Sequence, residues 1–94
     1  MRIVIVHFHL QTGGVTRVIQ HAARSLADQG HEVLLLSGEP TEQAFPARTR
    51  LSVLPCLAYE ERRHGLSPRE VAAALQRAAR DCFGDLPDLW HIHN

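Results

Sequence analysis

The feature that most constrains the fold is a strand–turn–helix–strand pattern within residues 1–38. Residues 3–6 are a continuous β-branched run, which is typical of a strand buried on both faces of a parallel sheet. A Gly13–Gly14 turn follows, then apolar residues at helical spacing as far as Gly30, and then a second apolar run at residues 33–36. This order predicts a parallel βαβ unit, whose first turn is the place where such units bind anions and nucleotides.

The rest of the chain predicts further α/β elements. Residues 51–54 indicate a third strand, and residues 89–93 a fourth. Between them, a helix is expected to begin after a Ser67 cap, with a capping box completed by Glu70, and to end at Gly84. Right-handed crossovers predict the strand order 3-2-1-4, so the topological switch falls between strands 1 and 4. The predicted apolar face of the first helix consists of Val15, Val18, Ile19, Ala22, Leu26 and Ala27.

Composition excludes several classes of protein. The formal net charge is zero with histidine neutral, which gives no electrostatic footprint for nucleic acid. The apolar run at residues 3–6 is too short for a signal peptide or a membrane span. Cys56 and Cys82 are far apart and indicate no disulfide framework, so a cytoplasmic location is expected. With 94 residues, the chain has room for one domain.

The Gly13–Gly14 turn is the first candidate site. Without Cβ atoms, this backbone can approach a phosphate or a sugar hydroxyl, and the helix N-terminus adds free N–H groups and partial positive charge. Thr16 and Arg17 lie in the first helical turn, close to any bound anion, although each could equally face solvent. The alternative is a plain tight turn. The pattern is neither G-x-G-x-x-G nor a P-loop, and the chain has no lysine.

The histidines form two H-x-H pairs, His7/His9 and His91/His93. Spacing by two places each pair on one face of its strand. Four clustered imidazoles would suit zinc, but no carboxylate or cysteine has matching spacing, and histidines inside strands are often simply hydrogen-bonded core residues, so no metal site is expected. His93 stands apart because it lies at the tip of the last strand, where its side chain could reach the crevice and position a reacting group.

Both ends of the chain resemble one enzyme family. The segment GGVTRVIQHAARSLADQGHEVLLLSG is similar to the start of retaining glycosyltransferases with the GT-B fold, the family 4 group. The closing PDLWHIHN resembles that family's P-D-[LIV]-[LVI]-H-x-H segment. The resemblance implies that residues 1–94 are a partial N-terminal, acceptor-side Rossmann-like domain. It also implies a C-terminal donor-binding domain, with an E-x7-E motif, that this sequence does not contain.

The resemblance carries specific expectations for the site. Gly13 and Gly14 would approach the donor diphosphate or the acceptor, and His93 would be the catalytic residue. Thr16, Arg17 and Asn94 would bind substrate, although relatives commonly carry Glu or Gln at the position of Thr16 and some carry an acidic residue at that of Asn94. The implied reaction is retaining hexosyl transfer from a nucleotide sugar to a sugar, lipid or small-molecule acceptor. No metal or other cofactor is expected.

Other interpretations remain open at this stage. Residues 1–94 alone are expected to lack transferase activity because half of the cleft is missing. A non-catalytic α/β binding module is the alternative, and an exposed fourth strand would favour self-association. Peripheral membrane contact is open for the full-length protein. A nucleotide-binding oxidoreductase is disfavoured because the glycine fingerprint is absent.

Overall fold

The computed structural model describes residues 1–11, 13–57 and 67–92. The first two strands are one residue longer at each end than the predicted apolar runs, because backbone pairing continues past the buried side chains. The third strand begins two residues earlier and ends one residue earlier than predicted. In chain order the elements are β1 (Arg2–His7), α1 (Gly14–Asp28), β2 (Glu32–Ser37), β3 (Thr49–Val53), a 3₁₀ turn (Pro55–Leu57), α2 (Pro68–Phe83) and β4 (Leu89–Ile92).

The four strands form one parallel sheet in the order β3-β2-β1-β4. The predicted α/β class and the 3-2-1-4 order are therefore confirmed. Val4 lies in the centre of the sheet, in register with Leu34 on one side and Trp90 on the other. Helices α1 and α2 cover opposite faces of the sheet, so the side chains of residues 3–7 in β1 and 33–37 in β2 are buried on both faces.

Alternating side chains of β1 and β2 divide the core into two layers, one on each face of the sheet. Along β1, Ile3 and Ile5 point to the α1 face, and Val4 and Val6 point to the α2 face. The α1 layer contains Ile3, Ile5, Leu10, Ile19, Ala23, Val33 and Leu35. The α2 layer contains Val4, Val6, Leu34, Leu36, Leu57 and Ala79.

The buried face of α1 differs in part from the predicted one. Its buried residues are Thr16, Ile19, Ala23 and Ala27. Val18 is 57% exposed, although it fits the apolar periodicity. The reason is its position beside the sheet edge, where Val18 and Leu89 line an open groove that no described element covers. Periodicity alone cannot reveal which flank of a helix lacks a neighbour.

Helix α2 begins and ends at the predicted cap residues, but the Glu70 carboxylate bonds the Ser67 hydroxyl and not the backbone N–H that a capping box uses. Ser67 Oγ accepts a hydrogen bond from the Glu70 backbone N–H at 3.2 Å and donates one to Glu70 Oε1 at 3.1 Å. Pro68 occupies the first turn. Gly84 ends the helix in the left-handed conformation, with φ 82°, and its N–H donates to the Arg80 carbonyl. Neither described helix is long and apolar enough to cross a membrane.

Replacing Ser67 by alanine is expected to lower the free energy of unfolding by about 1 kcal/mol, the usual contribution of an N-cap. The reason is that the Glu70 N–H loses its acceptor within the helix. Urea denaturation followed by circular dichroism would measure the change. Ser25→Ala is the control, since Ser25 is exposed in the interior of α1, and it should change stability far less. Equal losses for the two variants would contradict the assigned role of the cap.

Candidate ligand site at the carboxyl edge of the sheet

All four parallel strands end at one edge of the sheet. Their last residues are His7, Ser37, Val53 and Ile92. The loop after β1 runs from this edge through Gly13 into α1, so the predicted turn lies at the crevice where open α/β sheets bind ligands. His93 and Asn94, which follow β4, lie outside the described residues, as does Thr12.

The N-terminus of α1 lacks the side-chain cap that α2 has. Gly13 is the N-cap residue and has no side chain to accept a hydrogen bond, and the first turn contains no acidic residue. The helical hydrogen bonds begin with the Arg17 N–H, which donates to the Gly13 carbonyl at 3.1 Å. The N–H groups of Gly14, Val15 and Thr16 therefore have no acceptor within the helix. This end of α1 is an electropositive group of backbone donors.

The space that side chains would occupy at Gly13 and Gly14 is open. A Cβ atom added at Gly13 or at Gly14 would meet no heavy atom within 4 Å. Packing within the described fold therefore does not require glycine at position 14. The remaining physical reason for glycine there is access, because a ligand can approach the backbone N–H groups without meeting a side chain.

Thr16 and Arg17 lie on different sides of α1. Thr16 is 2% exposed, and its hydroxyl has no hydrogen-bond partner among the residues that the structure describes. A buried hydroxyl without a partner is costly, which makes it a candidate donor to something absent from the isolated chain. Arg17 is exposed in the same turn. Ligand contact by either residue remains a prediction.

The histidines at the end of β1 form an aromatic cluster. His7 is 3% exposed, and its ring centroid lies 4.5 Å from that of Phe8 and 5.1 Å from that of His9. His91 lies on β4, in register with Ile5, and is exposed to solvent. Within the described ranges, no group of three or more histidine, cysteine or acidic residues could hold a metal ion. His93 belongs to the predicted four-histidine cluster but is not described, so that cluster as a whole remains untested.

The loops after β1 and β2 are joined by hydrogen bonds that the sequence analysis missed. The Gly38 N–H donates to the Phe8 carbonyl at 2.9 Å, and the Thr41 hydroxyl donates to the Leu10 carbonyl. Gln11 Nε2 donates to Glu39 Oε2 at 2.7 Å. The strand order could have predicted these hydrogen bonds. Adjacent parallel strands end side by side, so polar residues just beyond them can meet.

Together, the parallel sheet and its flanking helices define a Rossmann-like partial domain, with the uncapped N-terminus of α1 at the carboxyl edge of the sheet. The sequence profile of Glycosyltransferase Family 4 matches residues 12–94, and the chain belongs to this family. It is 36% identical over 59 residues to the MMP alpha-(1->4)-mannosyltransferase of Mycolicibacterium hassiacum. That match covers 61% of this chain and 14% of the relative, so the aligned region is a small part of the longer protein. The resemblance stated from the sequence is confirmed at the level of the family.

Proposed function

We propose that residues 1–94 are the acceptor-side, N-terminal part of a glycosyltransferase, and that a donor-binding domain completes the enzyme. The full protein would transfer a hexosyl group from a nucleotide sugar to a sugar, lipid or small-molecule acceptor, with retention of configuration. Support comes from the family profile and from the mannosyltransferase relative. The observation that carries the assignment is the match of the family profile to residues 12–94. The uncapped N-terminus of α1 at the carboxyl edge of the sheet gives the anion site that this function would use.

The proposed mechanism gives each predicted residue a physical role. The N–H groups of Gly14, Val15 and Thr16 would donate to phosphate or hydroxyl oxygens, and the helix dipole would stabilise their negative charge. His93 would contact the transferred sugar or the acceptor near the reacting carbon. Asn94 and Arg17 would bind substrate at the rim. The mechanism includes no metal ion and no cofactor, and the nucleotide sugar is a co-substrate.

A titration with inorganic pyrophosphate tests the anion site. We expect ¹⁵N–¹H chemical shift changes concentrated on the amides of Gly14, Val15 and Thr16. Helix α2 provides an internal comparison, because its N-terminus is already capped by Ser67 and its Glu70 N–H has a partner. Equal responses at both helix N-termini, or none at either, would refute the proposed anion site.

Gly14→Ala is expected to weaken pyrophosphate binding by about tenfold, the equivalent of losing one charge-assisted hydrogen bond. The added methyl group would occupy the open approach to the backbone donors. Stability should be unchanged or slightly higher, since alanine has the better helix propensity and meets no neighbouring atom.

Gly84→Ala is the matched glycine control for that titration. Gly84 has φ 82° at the end of α2, so alanine there is strained and should lower stability. Its pyrophosphate affinity should stay at the wild-type value. A Gly14→Ala variant that binds as tightly as wild type would show that the ligand does not approach this backbone.

The isolated chain is proposed to bind without catalysing transfer. Its site would lack the donor half that the family resemblance implies. Incubation with a panel of nucleotide sugars and measurement of released nucleotide would test this, and turnover by the isolated chain would disprove it. We propose a cytoplasmic location and no role in nucleic-acid binding, and peripheral membrane contact stays an open alternative for the full-length protein.

One observation favours the alternative of a non-catalytic interaction module. Strand β4 is an edge of the described sheet, and its Leu89 and Ile92 side chains are 48% and 57% exposed. An uncovered apolar edge can pair with a second copy of the chain. Light scattering tests this alternative. A monomer over a wide concentration range would exclude self-association through β4.

A further inference from the structure

We propose that Gln11 and Glu39 form a pair that binds neighbouring hydroxyl groups of the acceptor. This inference rests on the proposed function, because it names the part of the site that would recognise an uncharged polyhydroxyl group. In the sequence, Gln11 precedes Gly13, the N-cap residue of α1, by two positions. Gln11 follows β1 and Glu39 follows β2, so both are at the carboxyl edge of the sheet.

The position of Glu39 is fixed through its backbone. Ser37 is fully buried, and its hydroxyl donates to the Glu39 carbonyl at 2.8 Å. The Glu39 N–H lies 3.3 Å from the same Ser37 oxygen. The carboxylate then accepts from Gln11 Nε2 through Oε2 at 2.7 Å. This arrangement holds a carboxylate and an amide side by side before any ligand arrives.

Gln11 of this pair also lines a concave polar surface, whereas Glu39 is not among the residues that line it. An open cavity of about 320 Å³ is lined by Gln11, Pro40, Thr41, Glu42 and Gln43. Thr41, one of the lining residues, also connects the loop after β2 to the loop after β1, because its hydroxyl donates to the Leu10 carbonyl. The cavity is therefore bounded by loops from two strands that are bonded to each other, as in a site that is largely formed in advance.

The chemistry of the pair favours hydroxyl groups over phosphate. Gln11 offers amide donors and a carbonyl acceptor, and the Glu39 carboxylate is a strong acceptor for O–H donors. Glu39 and Glu42 would repel an anion in this cavity. The N-terminus of α1 has the opposite preference, because its donors and dipole attract negative charge. The edge is thus divided into an anion-accepting part and a part for neutral hydroxyl groups.

The test is a titration of the whole 94-residue chain with methyl α-D-mannopyranoside as the probe. We expect shift changes at the Gln11 side-chain amide and at the Glu39 backbone N–H. Tetrahydropyran-2-methanol, a similar ring with a single hydroxyl group, should produce weaker changes at these positions. Equal responses to both compounds, or no response to the mannoside, would overturn the proposal.

Glu39→Ala should weaken mannoside binding by about tenfold, because a charge-assisted hydrogen bond is lost. Gln11→Ala should cause a similar loss, and because Gln11 is exposed, this second variant tests the proposal without disturbing the core. Glu32→Ala is the matched control. Glu32 is an exposed glutamate at the opposite end of β2, where it pairs with Arg2 at 3.5 Å.

The outcomes separate this inference from the proposed function. If Glu39→Ala and Glu32→Ala bind the mannoside equally well, the proposal that Gln11 and Glu39 bind hydroxyl groups is wrong. The pyrophosphate response at Gly14 would be unaffected by that result, and the proposed anion site would stand. Conversely, absence of a pyrophosphate response in the unmodified chain would contradict the proposed anion site. The mannoside titration alone would then decide the proposal for Gln11 and Glu39.

Discussion

Leu35→Ala is expected to lower the free energy of unfolding by about 2–5 kcal/mol. Leu35 lies on the inner strand β2, is 1% exposed and belongs to the core layer under α1. Truncating it removes buried apolar area and leaves a cavity that the surrounding side chains fill only in part. Since a domain of this size is stable by about 5–15 kcal/mol in total, the loss would be a large fraction of its stability.

Leu51 provides a matched control for that substitution. It is the residue of β3 that lies in register with Leu35, and it is 40% exposed. The same change at this position should cost well under half as much, because less area is transferred to water. Urea denaturation of the two variants would compare them directly. Equal costs would mean that the core is not packed as the structure shows.

Gly14→Glu is expected to abolish pyrophosphate binding, with a loss of about a hundredfold or more. Two unit charges 4 Å apart at a protein surface repel by about 4 kcal/mol at an effective dielectric constant of 20. The carboxylate would also compete with the ligand for the N–H groups of Val15 and Thr16.

The same substitution should raise stability by about 0.3–1 kcal/mol, because a negative charge at a helix N-terminus complements the dipole. Opposite effects on binding and on stability are the diagnostic result, since a merely damaged fold would lose both. Ala72→Glu is the charge control, because Ala72 is exposed in α2 and the change adds the same charge away from the site. If both variants bind pyrophosphate alike, the effect is one of overall charge.

The sheet could be predicted from the sequence because its inner strands are continuous apolar runs. Residues 3–6 and 33–36 are typical of strands buried on both faces, and the helical segment between them favours a parallel sheet with helices on both faces. The N-cap of α2 could also be predicted, because the bond between the Glu70 N–H and the Ser67 hydroxyl joins residues only three positions apart. The location of the Gly13–Gly14 turn followed from the strand–helix order.

The remaining features depend on contacts between distant segments. The exposure of Val18 is decided by what lies beside β4, which the helical period does not encode. The burial of Thr16 in place of Val15 reflects the rotation of α1 on the sheet. The bond between Gln11 and Glu39 joins residues 28 positions apart, in two loops that lack a repeating pattern. These features therefore depend on the three-dimensional arrangement of the chain and cannot be predicted from local sequence patterns.

The pairing of β1 with β4 has a consequence for synthesis on the ribosome. The Arg2 N–H donates to Asp88 Oδ2, and the Asp88 N–H donates to the Arg2 carbonyl, across a separation of 86 positions. Strand β1 emerges first but obtains its second neighbour only when β4 has been made. Until then, one edge of an apolar strand is without its native partner, and this is the interval in which a nascent chain is most exposed to wrong pairing.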